Sequence, residues 1–449
     1  MAQALKLLIS CHCGASKQTV RLHRPSSAPQ EISLCHCDAC RHNTGLLCVS
    51  YASIEHPDLT EGLVEYSSEA ETTTRLFCAI CGCHIFQRLQ SPVGDDANTG
   101  VTEDAVTTAV ERERWAVATG VIIGESEESG KEDSGVFMEY TKHINTADTK
   151  DGGLSPFIRP TGGVQGVEVV DNWGPPRPAI KDAGKKPKGP SPDADLEVFP
   201  PGDDRERRAE EVLNAFCHCK TVQFHITRPD TASKLPRSNF PDLMVPYSTG
   251  SPQIQNPEDT KWWLRPSLND HPEELGAPSQ TEMDGLKRYL AGTCACRSCR
   301  LTSGFEIQTW AFIPRANIFF HIRNGHTGLP KSEFEAPNIV PLDFATLPVH
   351  ILTSYESSAG VRREFCSRCG TTVFWRDRWR PELLDVSVGL LDAGEGARAE
   401  SWLDWWTGRV SFAEDAGNSR TGEMARGAKC LIDTLEEGLR KSGEGEKIM

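Results

Sequence analysis

The chain has 449 residues, of which 38% are hydrophobic and 25% charged, and its formal net charge at pH 7 is −15. A negative chain is repelled by phosphate backbones, which argues against sequence-independent binding of nucleic acid. No stretch reaches the ~20 apolar residues of a membrane span, and the N-terminal apolar run is too short for a signal peptide. We therefore expect a chain of two domains in a reducing compartment, in the cytoplasm with the nucleus as an alternative, and without membrane or nucleic-acid partners.

Residues 1–90 show short strand patterns joined by polar turns and open the first predicted domain, residues 1–158. Residues 18–22 alternate between polar and apolar, and the apolar runs 46–49 and 115–123 predict buried strands. Residues 91–113 and 125–135 are rich in Asp, Glu, Gly, Thr and Ser, which is typical of solvated insertions.

Residues 159–210 are dominated by Pro and Gly and predict a linker. Its basic run, 185–188, fits a solvated charge run better than a nuclear-import signal. A second unit, 211–415, follows; within it, 221–227 alternates as a half-buried strand. Residues 230–285 form an insertion that the first unit lacks, and we interpret it as a disordered surface loop rather than a lid, although it carries Trp262 and Trp263.

The end of the chain is richer in large apolar residues. Residues 384–390 have a strand pattern, and Trp402, Trp405 and Trp406 lie at helical spacing, which favours core packing. Leucines at i, i+4 and i+8 predict a docking helix over 425–442. These leucines are Leu431, Leu435 and Leu439.

Seven cysteines recur twice in the same order: a C-x-C pair, a C-x-C-x-x-C cluster and a C-x-x-C-G pair. Fourteen of the 17 cysteines belong to this pattern. The first set is Cys11, Cys13, Cys35, Cys37, Cys40, Cys78 and Cys81, and the second is Cys217, Cys219, Cys294, Cys296, Cys299, Cys366 and Cys369. Further matches, such as Tyr66 with Tyr355 and Arg41 with Arg300, indicate an internal repeat.

In a zinc site with four thiolates the sulfur atoms lie about 3.8 Å apart, a separation that C-x-x-C-G and C-x-C pairs can supply. Each unit's two outer pairs therefore predict one structural site. The three remaining cysteines of each unit predict a zinc with an open fourth position, with a redox-active or metal-free thiol cluster as the alternative. We expect four Zn²⁺ per chain, and disulfides are the weaker alternative for the outer pairs.

The order of these motifs resembles that of the glutathione-dependent formaldehyde-activating enzyme family, which also includes centromere protein V. The motifs that carry the resemblance are Cys11-His12-Cys13-Gly14, Cys35 to Arg41 and Phe77 to Gly82, then Cys217-His218-Cys219-Lys220, Cys294 to Arg300 and Phe365 to Gly370. The resemblance implies two tandem, mainly β domains of the β-tent type, each with a structural zinc on the outer pairs and a second zinc on the middle cysteines. It also implies carbon–sulfur lyase chemistry on adducts of a small thiol, such as glutathione, with an aldehyde. Lys220 and Ala295 depart from the first unit's Gly and His.

Residues near the cysteines admit two interpretations each. His36 and His218 lie between ligands, but the backbone directs them away, so we expect exposed histidines. Arg41 and Arg300 fit either a substrate carboxylate or a surface salt bridge. The leftover Cys48, Cys83 and Cys430 are expected to be buried small residues.

Two functions remain open from the sequence. The first is an enzyme, in which three thiolates leave a zinc site of charge about −1, a weak Lewis acid better suited to holding a substrate thiolate than to generating hydroxide. The second is a non-catalytic zinc scaffold, which the long linker and the lack of an obvious general base favour.

Overall fold

The computed structural model describes residues 5–22, 30–68, 72–90, 113–125, 138–158, 168–170, 211–266, 285–322 and 337–446. The predicted linker lies outside these ranges apart from 168–170, and so do the basic run 185–188 and nearly all of the two predicted insertions of the first unit.

In the described residues the first unit consists of short strands and one α-helix. The elements are β1 Lys6–Ile9, β2 Gln18–Arg21, β3 Gln30–Cys35, α1 Asp38–Thr44, β4 Val49–Ile54, β5 Leu63–Ser67, β6 Thr73–Cys78, β7 His84–Gln90, β8 Glu113–Ala118, β9 Ile122–Glu125, β10 Met138–Ile144 and β11 Glu168–Val170. The strands form a three-stranded sheet of order β2-β1-β9 and an eight-stranded sheet of order β11-β10-β3-β4-β8-β7-β6-β5.

The second unit repeats this plan with additional strands. The elements are β12 Val212–Phe216, β13 Gln223–Thr227, β14 Leu264–Pro266, β15 Leu286–Cys294, α2 Arg297–Ser303, β16 Gln308–Pro314, β17 Ile318–Ile322, β18 Asn338–Pro341, β19 Leu352–Ser358, β20 Val361–Cys366, β21 Thr372–Asp377, β22 Leu383–Ser387, β23 Leu391–Asp392, β24 Leu403–Trp405 and α3 Gly422–Glu446. The sheets of this unit have the orders β18-β17-β13-β12-β23 and β14-β15-β16-β22-β21-β20-β19, with β24 beside β15.

The prediction of a mainly β protein with a C-terminal helix is confirmed. Most strand pairs are antiparallel, and each unit adds a strand parallel to the one that ends in the middle cysteine cluster, β10 beside β3 and β24 beside β15. Two predicted strands are shorter than expected. The run 46–49 becomes a strand only at Val49, and 115–123 is interrupted by the 3₁₀ turn Thr119–Val121.

The two units share a buried interface in which contacts occur in equivalent pairs. The amide of Gly120 donates to the carbonyl of Gly304 at 2.9 Å, and the amide of Gly389 donates to the carbonyl of Gly45 at 2.9 Å. A Cβ atom at Gly120 or Gly389 would lie 2.5 or 2.3 Å from backbone atoms of the other unit. Self-complementary contacts of this kind are typical of the interface of a two-fold dimer, here formed within one chain.

Arg41 and Arg300 belong to this interface, so neither predicted role describes them fully. They are only 5% and 1% exposed. Arg41 keeps a 2.8 Å ion pair with Asp38 and also donates to the carbonyls of Gly389 and Leu391. Arg300 donates to the carbonyl of Gly120 in the other unit. Both guanidinium groups satisfy backbone carbonyls that the close approach of the units removes from water.

The C-terminal helix is confirmed, and it packs mainly on the first unit although it follows the second in sequence. Its leucine stripe is buried, the helix contacts β9 and β10, and the amide of Thr421 donates to the carbonyl of Ile123 at 3.0 Å. Cys430 is exposed on this helix, contrary to expectation, whereas Cys48 and Cys83 are buried as predicted. In the part of the chain described, no helix is both long and apolar enough to cross a membrane.

The insertion is not a disordered loop over its described part, 230–266. Trp262 and Trp263 are buried in the core and donate their Nε1–H groups to the carbonyls of Asn239 and Ser233, each at 3.0 Å. The tryptophans of 402–406 do not form a helix, because Leu403–Trp405 pairs with β15 as a strand. Trp402 is buried, with the guanidinium of Arg228 stacked 3.6 Å from its ring centroid.

Candidate metal centres and an adjoining cavity

The outer cysteine pairs converge in each unit, as predicted. Cys11, Cys13, Cys78 and Cys81 form the first outer centre, and Cys217, Cys219, Cys366 and Cys369 form the second. Within each centre all four Sγ atoms lie within 4.8 Å of one another. The sulfur atoms of Cys13 and Cys78 are 3.6 Å apart, and those of Cys219 and Cys366 are 3.5 Å apart. These separations are close to the roughly 3.8 Å expected for four thiolates around zinc.

Two structural constraints, the backbone conformation and the available space, favour glycine after each C-x-x-C pair. Gly82 and Gly370 have φ angles of +74° and +75°, a left-handed conformation that other residues adopt at a cost. A Cβ at Gly82 would lie 2.5 Å from the ring of Phe365, and one at Gly370 would lie 2.5 Å from the ring of Phe77. The turns that hold the outer centres therefore also bring the two units together.

The middle cysteines also converge. In the first middle cluster Cys35 ends β3, Cys37 caps the N-terminus of α1 and Cys40 lies in its first turn. The Cys35 and Cys37 Sγ atoms are 3.5 Å apart. The Asn145 side-chain amide donates to the Cys35 Sγ at 3.3 Å, so a neutral hydrogen-bond donor lies directly beside this cluster.

The second middle cluster, Cys294, Cys296 and Cys299, has the same local structure. Cys294 ends β15, Cys296 caps α2, and the backbone amide of Cys299 donates to the Cys296 Sγ at 3.2 Å. The three Sγ atoms lie within 4.8 Å of one another, as in the first middle cluster. All 17 cysteines are free thiols in this structure. Three sulfur donors at this spacing fit a zinc ion with one position left for another ligand.

An arginine contacts the third cysteine of each middle cluster, a role that the sequence reasoning missed. A terminal nitrogen of Arg75 lies 3.6 Å from the Cys40 Sγ, and both terminal nitrogens of Arg363 lie 3.5 Å from the Cys299 Sγ. Burial lowers the pKa of Arg363, but the sulfurs of Cys299, Cys296 and Cys294 together outweigh this effect, so the net shift is upward. The available signal was the recurrence of an arginine three residues before Cys78 and Cys366.

The histidines inside the cysteine motifs do not reach the clusters. His36 is buried rather than exposed, and its Nε2 lies 2.8 Å from the His143 Nδ1. Burial, with a further contribution from His143, lowers the pKa of His36 to about 3, so it is neutral. His218 is half-buried, with its Nδ1 2.7 Å from the Tyr66 hydroxyl in the other unit. The equivalent pair is His12 with Tyr355, at 2.8 Å.

A cavity of about 830 Å³ opens onto the second middle cluster, and all its lining residues belong to the second unit. The described part of the insertion forms one wall, with Asp242, Tyr247 and Trp262 among its residues. The remaining aromatic lining residues are Trp310, Phe312, Trp375, Trp379 and Phe412. Concave, largely apolar sites of this size with a few convergent polar groups are typical of small-molecule binding.

Two buried carboxyl groups, those of Asp242 and Asp385, line this cavity. Asp385 lies on β22, where it pairs with Phe312 and Trp375, and its Oδ1 accepts from the Arg380 guanidinium at 2.7 Å. Burial raises the pKa of Asp385 to about 7, although Arg380 acts in the opposite direction. The first unit has Ala116 at the equivalent strand position, paired with Ser53 and Gln87.

The fold and the clusters define a class: a mainly β protein of two similar units whose cysteines form four groups able to hold metal ions. The model of the family described as glutathione-dependent formaldehyde-activating enzyme matches residues 6–117 and 280–409, more than half of the chain. The chain therefore belongs to this family, with two tandem copies. No curated protein and no solved structure matches it.

Proposed function

We propose that this protein is a zinc-binding enzyme of carbon–sulfur lyase type, acting on adducts of a small thiol with an aldehyde at the second middle cluster. The observation that carries the proposal is the cavity, which has Cys294, Cys296 and Cys299 in its lining. Membership of the formaldehyde-activating family supports the reaction class. The proposal assigns four zinc ions to the chain, two of them at the outer centres.

The donor sets fit zinc at all four groups, because each consists of sulfur atoms at coordination spacing. When bound at the second middle cluster, zinc would supply a position at which a substrate thiol is held as its thiolate. Arg363 keeps the Cys299 sulfur in place and balances its negative charge. The aromatic walls exclude water and hold the aldehyde near the thiol, and proximity is the larger part of what this mild reaction requires.

The cavity also indicates what kind of substrate to test. Its volume of about 830 Å³ exceeds what formaldehyde alone needs, so it accommodates the body of a thiol such as glutathione or a larger aldehyde. Arg237 and Arg380 line it, but they already form ion pairs with Asp259 and Asp385. The aromatic lining therefore makes aldehydes or thiols with an apolar or aromatic group reasonable substrates beside glutathione.

For the first middle cluster we propose a non-catalytic role. Asn145 contacts its Cys35 sulfur, and none of the residues that line the cavity belongs to this unit. A metal ion held there would stabilise the shared interface, which corresponds to the scaffold function for one half of the chain.

Exchange NMR on a mixture of glutathione and formaldehyde, followed by the same measurement with an aromatic aldehyde, tests the proposal. The zinc-loaded wild type is expected to accelerate exchange between free and adduct forms. Cys296→Ser should abolish this acceleration, whereas the matched variant Cys37→Ser should retain it. If the wild type is no faster than buffer with every thiol and aldehyde tested, the lyase proposal is wrong and the scaffold function remains.

A further inference from the structure

Asp385 is a buried carboxyl group that the proposed binding of thiol and zinc leaves without a role. Its side chain is 10% exposed and lines the same cavity as the second middle cluster. The equivalent Ala116 of the first unit shows that the repeat itself does not require a carboxyl group at this position.

The proposed reaction needs a proton donor near the carbonyl oxygen. When a thiolate adds to an aldehyde, the carbon–sulfur bond forms while the carbonyl π bond breaks, and the negative charge moves to oxygen. A proton supplied to that oxygen gives the neutral hemithioacetal. In the cleavage direction the same proton must leave the hydroxyl group as the carbon–sulfur bond breaks. A positioned acid or base typically contributes 10²- to 10⁴-fold to such a step.

We propose, on the basis of the proposed function, that Asp385 is the general acid and base of the second unit. In adduct formation its carboxyl group transfers a proton to the oxygen of the aldehyde. The resulting carboxylate regains a proton from solvent, which takes up the proton that the thiol releases on becoming a thiolate. In cleavage its carboxylate accepts the proton of the adduct hydroxyl group, and the thiolate leaves. No oxidant or reductant takes part.

The other carboxylates of the cavity are held by several donors and are poorly suited to proton transfer. Asp242 accepts from the Phe412 amide at 2.7 Å and the Ser411 hydroxyl at 3.1 Å, and it pairs with Arg409 at 3.3 Å. Asp377 accepts from two backbone amides at its own turn. Asp259 forms ion pairs with Arg237 and Lys261. The oxygens of these three carboxylates are therefore already occupied by donors other than a substrate.

Asp385 differs because burial dominates its environment. Its Oδ1 has one donor, Arg380 at 2.7 Å, and that arginine is shared with Asp377. The charged groups that face it are Arg380, Asp377 and Cys299, with Arg363 and Asp242 elsewhere in the cavity wall. Its pKa of about 7 leaves both the acid and the base form populated at neutral pH, which suits a residue that serves both directions of one reaction.

The test uses Asp385→Asn in the full-length, zinc-loaded chain. With the exchange assay above, wild type is expected to lose its rate of adduct formation as pH rises through about 7. Asp385→Asn should lower this rate at least ~10-fold, remove its pH dependence and leave the half-saturating thiol concentration unchanged. The matched control is Glu382→Gln, which removes an exposed carboxyl group directly before the same strand and should behave as wild type.

A second variant keeps the test decisive if Asp385→Asn fails to fold. Arg380→Met removes the cation that favours the charged form of Asp385, so the midpoint of the pH profile should move upward. Suppose that the wild type is active and that its pH–rate profile is unchanged in Asp385→Asn. This result would overturn the role of Asp385 and leave the lyase proposal standing. If only Arg380→Met folds, an unchanged pH–rate profile in that variant leads to the same conclusion. An inactive wild type would instead reject the lyase proposal itself.

Discussion

Asn145 and Phe412 occupy equivalent positions in the two units, and both have left-handed backbones, with φ of 56° and 53°. The residue before each accepts a hydrogen bond from the middle cluster: Ile144 from the amide of His36, and Ser411 from the amide of Ala295. Asn145 donates its side-chain amide to the Cys35 sulfur, whereas Phe412 lines the cavity. The residue at this position thus distinguishes the two middle clusters: the first has a polar side chain against its sulfurs, and the second adjoins the cavity.

Asn145→Leu should weaken the first middle cluster. The change removes the donor to Cys35 and places a γ-branched residue in a left-handed conformation that Asn tolerates, with an expected loss of stability of about 1–2 kcal/mol. Chelator-induced metal release should be faster, which mass spectrometry over time would measure. Phe412→Leu is the control, because it keeps the backbone conformation without removing a donor. Equal release from both variants would contradict a role for the Asn145 amide.

Native mass spectrometry should find four zinc ions per chain. The expectation rests on four separate groups of sulfur atoms, each within 4.8 Å. A count of two would mean that the middle clusters hold no metal, and the proposed thiol chemistry would lose its site.

Cys→Ser substitutions should differ in severity between the two kinds of centre. A structural zinc contributes on the order of 10 kcal/mol, comparable with the stability of a whole domain. Cys78→Ser or Cys366→Ser should therefore prevent stable folding, and the shared interface should make both units melt together. Cys37→Ser and Cys296→Ser alter a local segment and should leave the fold largely intact. Equally severe changes in the thermal melts of both classes would refute this division.

Gly389→Ala should destabilise the contact between the units. Its Cβ would lie 2.3 Å from the Gly45 carbonyl carbon, and backbone there cannot retreat without opening the interface. Overpacking of this kind typically costs about 1–3 kcal/mol. Gly394→Ala is the control, because no atom lies within 4 Å of its Cβ position. Denaturant unfolding of the two variants gives the comparison, and equal midpoints would argue against the interface.

Glu306→Gln should cost about 3 kcal/mol, because it leaves the buried Arg420 without its charged partner. The two groups are joined by two hydrogen bonds of 2.8 Å, and Arg420 also donates to the carbonyls of Thr119 and Ile122 in the first unit. Burial raises the pKa of Glu306, but Arg420, Arg300 and the Tyr140 hydroxyl together lower it by more, so the net shift is downward. The pair therefore stabilises the fold above the ordinary glutamate pKa, and this stability is lost as the pH falls. Unfolding curves between pH 3 and 7 should show a weaker acid dependence in the variant; an unchanged dependence would contradict the assignment.

The sequence by itself determined the groups of sulfur atoms and the C-terminal helix. Local geometry brings together the sulfurs within one C-x-C or C-x-x-C motif and places leucines at i, i+4 and i+8 on one face of a helix. The joining of two distant pairs into one outer centre was inferred from the four ligands that a structural zinc requires. The order of the motifs indicated the repeat and the family because each motif is short and its spacing is distinctive.

Only the tertiary structure decided which residues surround those sulfurs. Asp385 reaches the cavity because the register of β22 pairs it with Phe312 and Trp375, and a register set by strands far apart in sequence cannot be deduced from any one of them. The two predicted roles of Arg41 and Arg300, contact with a substrate carboxylate or a surface salt bridge, were incomplete for the same reason, since both arginines have partners in the other unit. The insertion 230–266 forms a wall of the cavity because Trp262 and Trp263 are buried in the hydrophobic core. Composition alone does not show where in the fold such a core lies.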